Sequence, residues 1–134
     1  MTGTLLFTRG LLHLLEKSGA GGIRNIVSTS GMHNVSLQGA SVAYIASKHG
    51  QAGSAAGLRQ ELRGRTVRVS AIYPPNILDI SPLNAAAWNA VPDKTSWPTN
   101  RDVVESALFA LTRPRHLTVA SIALESDTGN FHAH

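Results

Sequence analysis

Three short runs rich in branched apolar residues, Ile23 to Thr29, Thr66 to Tyr73 and Leu117 to Leu124, each follow a stretch with helical periodicity. That alternation restricts the chain to few architectures. Strands separated by helices do not pair as hairpins. They align in parallel, and each helix carries the chain back across a face of the sheet. The 134 residues suit one such domain and are too few for two. A composition of 43% hydrophobic and 15% charged residues fits a packed core and excludes a disordered or coiled-coil chain.

Residues 2–17 place Leu5, Leu6, Leu11, Leu12 and Leu15 at helical spacings and predict a helix with a buried face. Ser18-Gly-Ala-Gly-Gly22 stops it, because glycines past a helix end supply the positive φ that a terminator needs. Between Val42 and about Arg63 the helical pattern returns with a density of small residues, among them Ala46, Gly50, Gly53, Ala55 and Gly57. Those glycines lower helix propensity, which points to close helix packing. In the second apolar run Val67, Val69 and Ala71 alternate with Arg68 and Ser70, as in a strand with one apolar face, and Pro74-Pro75 ends it.

Residues 74–100 hold five of the six prolines and both tryptophans. A segment so long and apolar reads as a binding loop or lid, selecting a substrate. Asn100 reads as the N-cap of a helix reaching about Thr112, with Val103, Ala107 and Leu111 on one face. Residues 30–41 read as a loop and 127–134 as a loose polar tail. Three strands make a small sheet with long apolar edges, which a complete domain normally covers.

No run of about 18 uncharged apolar residues occurs, so no membrane span is expected. The first nine residues lack the basic start and cleavage site of a signal peptide, so the cytoplasm is the expected location. The chain has no cysteine, which removes disulfides, thiolate metal sites and thiol nucleophiles. A formal net charge of +4, with Arg59, Arg63, Arg65 and Arg68 close together, raises the question of nucleic acid. Interspersed acids such as Glu16, Glu61, Asp102 and Glu105, and only seven aromatic residues, favour a solvated basic face instead. The six histidines include the pair His132 and His134, which reads as surface rather than as a metal site.

The sharpest local feature is Tyr44-Ile-Ala-Ser-Lys48. Residues four apart share a helix face, so the Tyr44 phenol and the Lys48 ammonium approach one another. An isolated phenol is a poor acid-base catalyst at neutral pH, and a fixed positive charge stabilises its phenolate. Tyr44 thereby becomes a proton donor to a carbonyl. Upstream lies a strand ending in Ser28-Thr-Ser30-Gly31, and downstream one ending in Tyr73-Pro-Pro-Asn-Ile77. All three elements converge at the carboxyl ends of parallel strands, where open α/β sheets bind ligands.

With these residues the chain resembles the short-chain dehydrogenase/reductase family, in its pattern of strand, Ser, loop, Tyr-x-x-x-Lys helix and strand. The likeness runs from the first residue to about residue 124. It includes Leu14-Leu-Glu-Lys-Ser-Gly-Ala-Gly, the Ser47 before Lys48, and Glu61-Leu62 ahead of Val67-Arg-Val-Ser. The resemblance implies an α/β fold, a truncated Rossmann-like doubly wound parallel sheet of about three strands with flanking helices. It also implies hydride exchange between NAD or NADP and a carbonyl or alcohol substrate. Carried over, Tyr44 exchanges the substrate proton, Lys48 supports it and holds the nicotinamide ribose, and Ser28 hydrogen-bonds the carbonyl, with Ser30 a rival. Pro74 and Ile77 then lie along the nicotinamide. Pro75 stands where the family has glycine, and Asp79 where it has threonine.

The family's glycine-rich turn is not found in the sequence, so the resemblance is to the second, catalytic half. This stretch alone is expected to bind NAD(P) weakly or not at all, and to be inactive or weakly active. A different class of function is a non-catalytic association module that keeps the fold. Either way the helices at 2–17 and 43–63 are expected to pair two copies into a homodimer, with no nucleic-acid or membrane partner.

Overall fold

The computed structural model describes residues 1–33 and 39–128. Their order is helix α1 (Thr2–Lys17), strand β1 (Gly22–Ile26), a 3-10 turn (Thr29–Gly31), helix α2 (Val42–Glu61), strand β2 (Arg68–Tyr73), the single turn α3 (Ala85–Trp88), helix α4 (Asn100–Leu111) and strand β3 (Ser121–Ala123). The strands form one parallel sheet in the order β1-β2-β3, with Ile26 opposite Ile72 and Ile72 opposite Ile122. Residues 34–38 of the expected 30–41 loop, and the tail from 129 with His132 and His134, lie outside the described residues. Among the described residues no helix is long and apolar enough to cross a membrane.

The core lies between β2 and the helices on one face of the sheet. Leu62, Val67 and Val69 are buried, with Leu12, Leu15, Ile23 and Leu58 packed around them. Val27, Ala55 and Ala71 make a second cluster with Ala52 and Tyr73. Burying Leu62, which is 2% exposed, stabilises the fold by about 2 kcal/mol. Ala55 is fully buried, so the small side chain sits where α2 comes nearest the sheet. Gly19, at φ 71°, ends α1 in the left-handed conformation expected of the glycine run.

Several expectations change. The strands are shorter than their apolar runs: β1 stops at Ile26 because Thr29 joins the turn that Ser28 caps. No residue of α1 is buried, against the buried face expected for it. The sheet ends at β1, so only Leu11, Leu12 and Leu15 find partial cover, while Leu6, Phe7 and Leu14 face outward. Gly53 and Gly57 of α2 have no described atom within 4 Å of an added Cβ, so among the described residues no backbone packs closely there.

β2 is buried on both faces, not one. Helix α4 covers the second face, and the arginine expected in the solvated basic patch is inside: Arg68 is 8% exposed. Its guanidinium donates to the carbonyls of Leu111 at 2.9 Å, Arg113 at 2.8 Å, Pro114 at 3.0 Å and Leu117 at 3.1 Å. These carbonyls lie at and beyond the end of α4, where a helix dipole favours a cation. Arg24 joins the same cage, donating to Arg68 O and Ala110 O. Burial, then the neighbouring Arg115, press the Arg68 guanidinium below its ordinary value.

Candidate active site

Helix α2 begins where the Ser41 hydroxyl accepts the Tyr44 N–H at 3.2 Å, a Ser N-cap that fixes Tyr44 in the first turn. Lys48 follows one turn later, and its Nζ lies 5.6 Å from the centre of the Tyr44 ring. The amine and the phenol therefore share one helix face, as the spacing predicts. Tyr44 is 45% exposed, so the pair opens to solvent. Two ion pairs occur among the described residues, Arg65 with Glu16 and Arg101 with Glu105, and neither neutralises Lys48.

Ser28 leaves β1 with φ 155°, and it is the one described non-glycine residue with a positive φ. Its Oγ accepts the Ser30 N–H at 3.1 Å, capping the 3-10 turn. Ser28 is half-buried, whereas Ser30 is buried. The turn is pressed against α2: a Cβ on Gly31 would stand 2.7 Å from the Lys48 carbonyl oxygen, closer than a side chain allows. Thr29 N–H donates to the buried Pro74 carbonyl at 3.0 Å. Serine turn, lysine helix and the segment after β2 thus meet at the carboxyl end of the sheet.

Ile77 is half-buried and immediately precedes a narrow neck. Leu78 N–H donates to Pro98 O at 2.9 Å, and Asn100 N–H to Leu78 O at 3.1 Å, so the 78–99 segment leaves and returns through one point. The Asn100 side chain closes it, accepting Ile80 N–H at 3.0 Å and donating to Asp79 Oδ1 at 2.7 Å and Ile80 O at 2.9 Å. Asn100 was expected as the N-cap of α4, yet that place belongs to Thr99, whose N–H donates to Asp102 Oδ2 at 2.7 Å. Only the proline-rich, apolar content of the segment hinted at a closed loop. Asp79 is occupied with this neck. Beside Lys48, the His49 ring stands 5.3 Å from that of His33, edge to face.

Part of a nicotinamide dinucleotide fits these residues. An ammonium with no carboxylate partner among the described residues, next to the exposed Tyr44, suits the ribose hydroxyls, and the turn from Pro74 to Ile77 follows the strand end that meets the serine turn. The described residues offer no cradle for the pyrophosphate. A groove of about 670 Å³ lies between α1 and β1, away from Tyr44 and Lys48.

The profile of the short chain dehydrogenase family matches residues 1–90. A curated relative, an uncharacterized oxidoreductase of Staphylococcus aureus, is 31% identical over 122 residues, covering 91% of this chain and 49% of its own. The chain spans about half the length of the curated relatives it matches. Among solved structures, serine dehydrogenase from Escherichia coli superposes with a TM-score of 0.71 at 26% identity, over 95% of this chain and 49% of that one. The closed form of serine dehydrogenase complexed with NADP+ gives a TM-score of 0.69 at 25% identity, over 91% of this chain and 50% of that one.

Proposed function

The chain belongs to the short-chain dehydrogenase family, and from that premise we propose that it carries the proton-transfer residues of an NAD- or NADP-dependent oxidoreductase acting on a carbonyl or alcohol. The supporting observation is the Lys48 amine, 5.6 Å from the ring of the exposed Tyr44 and unpaired with any described carboxylate. When bound, the nicotinamide supplies or accepts the hydride. In the reducing direction the carbonyl carbon gains that hydride and the carbonyl oxygen gains the Tyr44 Oη proton. The C=O π bond is replaced by new C–H and O–H bonds. Lys48 stabilises the phenolate left on Tyr44 until solvent returns a proton, and its remaining donors suit the ribose hydroxyls.

Ser28 donates a hydrogen bond to the carbonyl oxygen; its partial exposure favours it over the buried Ser30. Pro74 and Ile77 flank the nicotinamide. The relative solved with NADP+ supports a nicotinamide dinucleotide and leaves NAD or NADP open for this chain. A cytoplasmic setting belongs to the same proposal. The test is titration of NADH and NADPH against the full chain, followed by nicotinamide fluorescence and turnover of a carbonyl panel. Weak saturable binding is expected, lost in Lys48→Met, together with a turnover that Tyr44→Phe abolishes. Tyr44 is 45% exposed, so that variant keeps its stability within about 0.5 kcal/mol. No binding at millimolar cofactor overturns the proposal and leaves an association module.

Pairing of two copies through α1 and α2 is a second proposal, favoured by the outward Leu6 and Leu14 and by the open space over Gly53 and Gly57. Sedimentation of the wild type and of Gly57→Glu tests it: a dimer that the substitution dissociates supports helix-face pairing, and a monomer in both ends it.

A further inference from the structure

We propose that His33 and His49 form a two-histidine site for a divalent transition-metal ion, with zinc the best match, and that the ion clamps the serine turn to helix α2. Neither imidazole takes part in the proposed proton transfer, so the site is independent of that reading. The two rings meet with their centres 5.3 Å apart and their planes inclined by 67°. Zinc–nitrogen bonds of about 2.0–2.1 Å at a tetrahedral angle put the centres of two coordinating imidazoles about 5 Å apart. The spacing therefore admits one shared ion with the backbones where they stand.

A second feature is independent of that distance. His49 Nδ1 lies 3.1 Å from the Ile45 carbonyl oxygen, which can only accept, so Nδ1 carries the ring proton and Nε2 keeps its lone pair. A histidine that binds a metal through one nitrogen commonly donates the other N–H to a carbonyl in this way, which fixes its tautomer and orients its ring. The two nitrogens lie on opposite sides of the imidazole, so Nε2 is directed away from the Ile45 carbonyl. The backbones behind both rings are already held. Gly31 packs against the Lys48 carbonyl, immediately before His49, and Met32 N–H donates to Thr29 O at 3.0 Å, immediately before His33. Ligands arranged in advance need little ordering when the ion arrives. His33 is exposed and His49 half-buried, so an ion in solution can reach them.

The donor set selects the ion. Neutral imidazoles suit zinc, copper and nickel, whereas magnesium and calcium prefer oxygen ligands. No third histidine or carboxylate joins the pair among the described residues, so water completes the coordination and the affinity is modest.

The test titrates zinc chloride into the full chain carrying His132→Ala and His134→Ala, so that the tail histidines contribute nothing, with magnesium chloride as the control. Calorimetry should show saturable binding of zinc and none of magnesium, and the thermal midpoint should rise with zinc concentration. His33→Phe keeps an aromatic ring against His49 but removes a ligand, and should weaken zinc binding by about tenfold or more. His33→Asp removes the ring but supplies a carboxylate ligand, and should hold zinc more tightly than His33→Phe. Position 33 is exposed, so both variants keep the fold. Three results overturn the proposal: no saturation at millimolar zinc, equal binding in the parent and His33→Phe, or His33→Asp no better than His33→Phe. Each leaves the two rings as an edge-to-face contact alone.

Discussion

At the amino end of β2, Arg68 spreads its guanidinium over four carbonyls and ties the strand to the end of α4 and the turn beyond it. At the carboxyl end of the same strand Tyr73 gives way to Pro74, and the 78–99 segment is closed at a neck by the Leu78 backbone and the Asn100 side chain. One end buries a charge in a fixed cage. The other leaves Tyr44 45% exposed and Lys48 without a carboxylate partner among the described residues. On the proposed function, the contrast separates stability from chemistry along a single strand: a buried polar cage at one end, open polar groups at the other.

The largest effect should come from the buried end. Arg68→Met removes a donor from four carbonyls, of which Pro114 O also accepts the Leu117 N–H, and is expected to cost about 3 kcal/mol, read as a lower urea midpoint at unchanged slope. A loss below about 1 kcal/mol would mean that water replaces the cage and would erase the contrast. At the open end, Asn100→Ala should cost only about 1 kcal/mol globally. Its main signature is faster protease cleavage within 81–96, with α4 itself unaffected. Equal loosening of α4 would make Asn100 part of the helix rather than a clasp of the loop.

The smallest effect concerns acid. The Thr95 hydroxyl first, then the Thr95 N–H and the Ser96 hydroxyl, hold the exposed Asp93 carboxyl below its ordinary value. A depressed folded value means that this local order is complete above the ordinary carboxylate range and is lost as pH falls through the folded value. The Thr95 amide resonance should therefore move only below about pH 4, while those of β2 stay fixed. Movement near neutrality would contradict the hydrogen bonds that Asp93 accepts.

The helices and the parallel order of the strands were legible because they follow from local periodicity, and Tyr44 with Lys48 because i and i+4 share a face on any helix. Contacts distant in sequence were not. Arg68 alternates with valines as a solvent-facing residue does, and nothing in that pattern reveals that α4 covers the second face. The leucines of α1 show which side seeks cover, not whether anything lies beneath it. Asn100 looks the same as a cap or as a clasp, since its amide serves both and its partners at Asp79 and Ile80 lie about twenty residues away.

Gly31 leaves no room for even a methyl group against the Lys48 carbonyl. The serine turn and the lysine helix are consequently locked in step, and any tilt of α2 carries both with it.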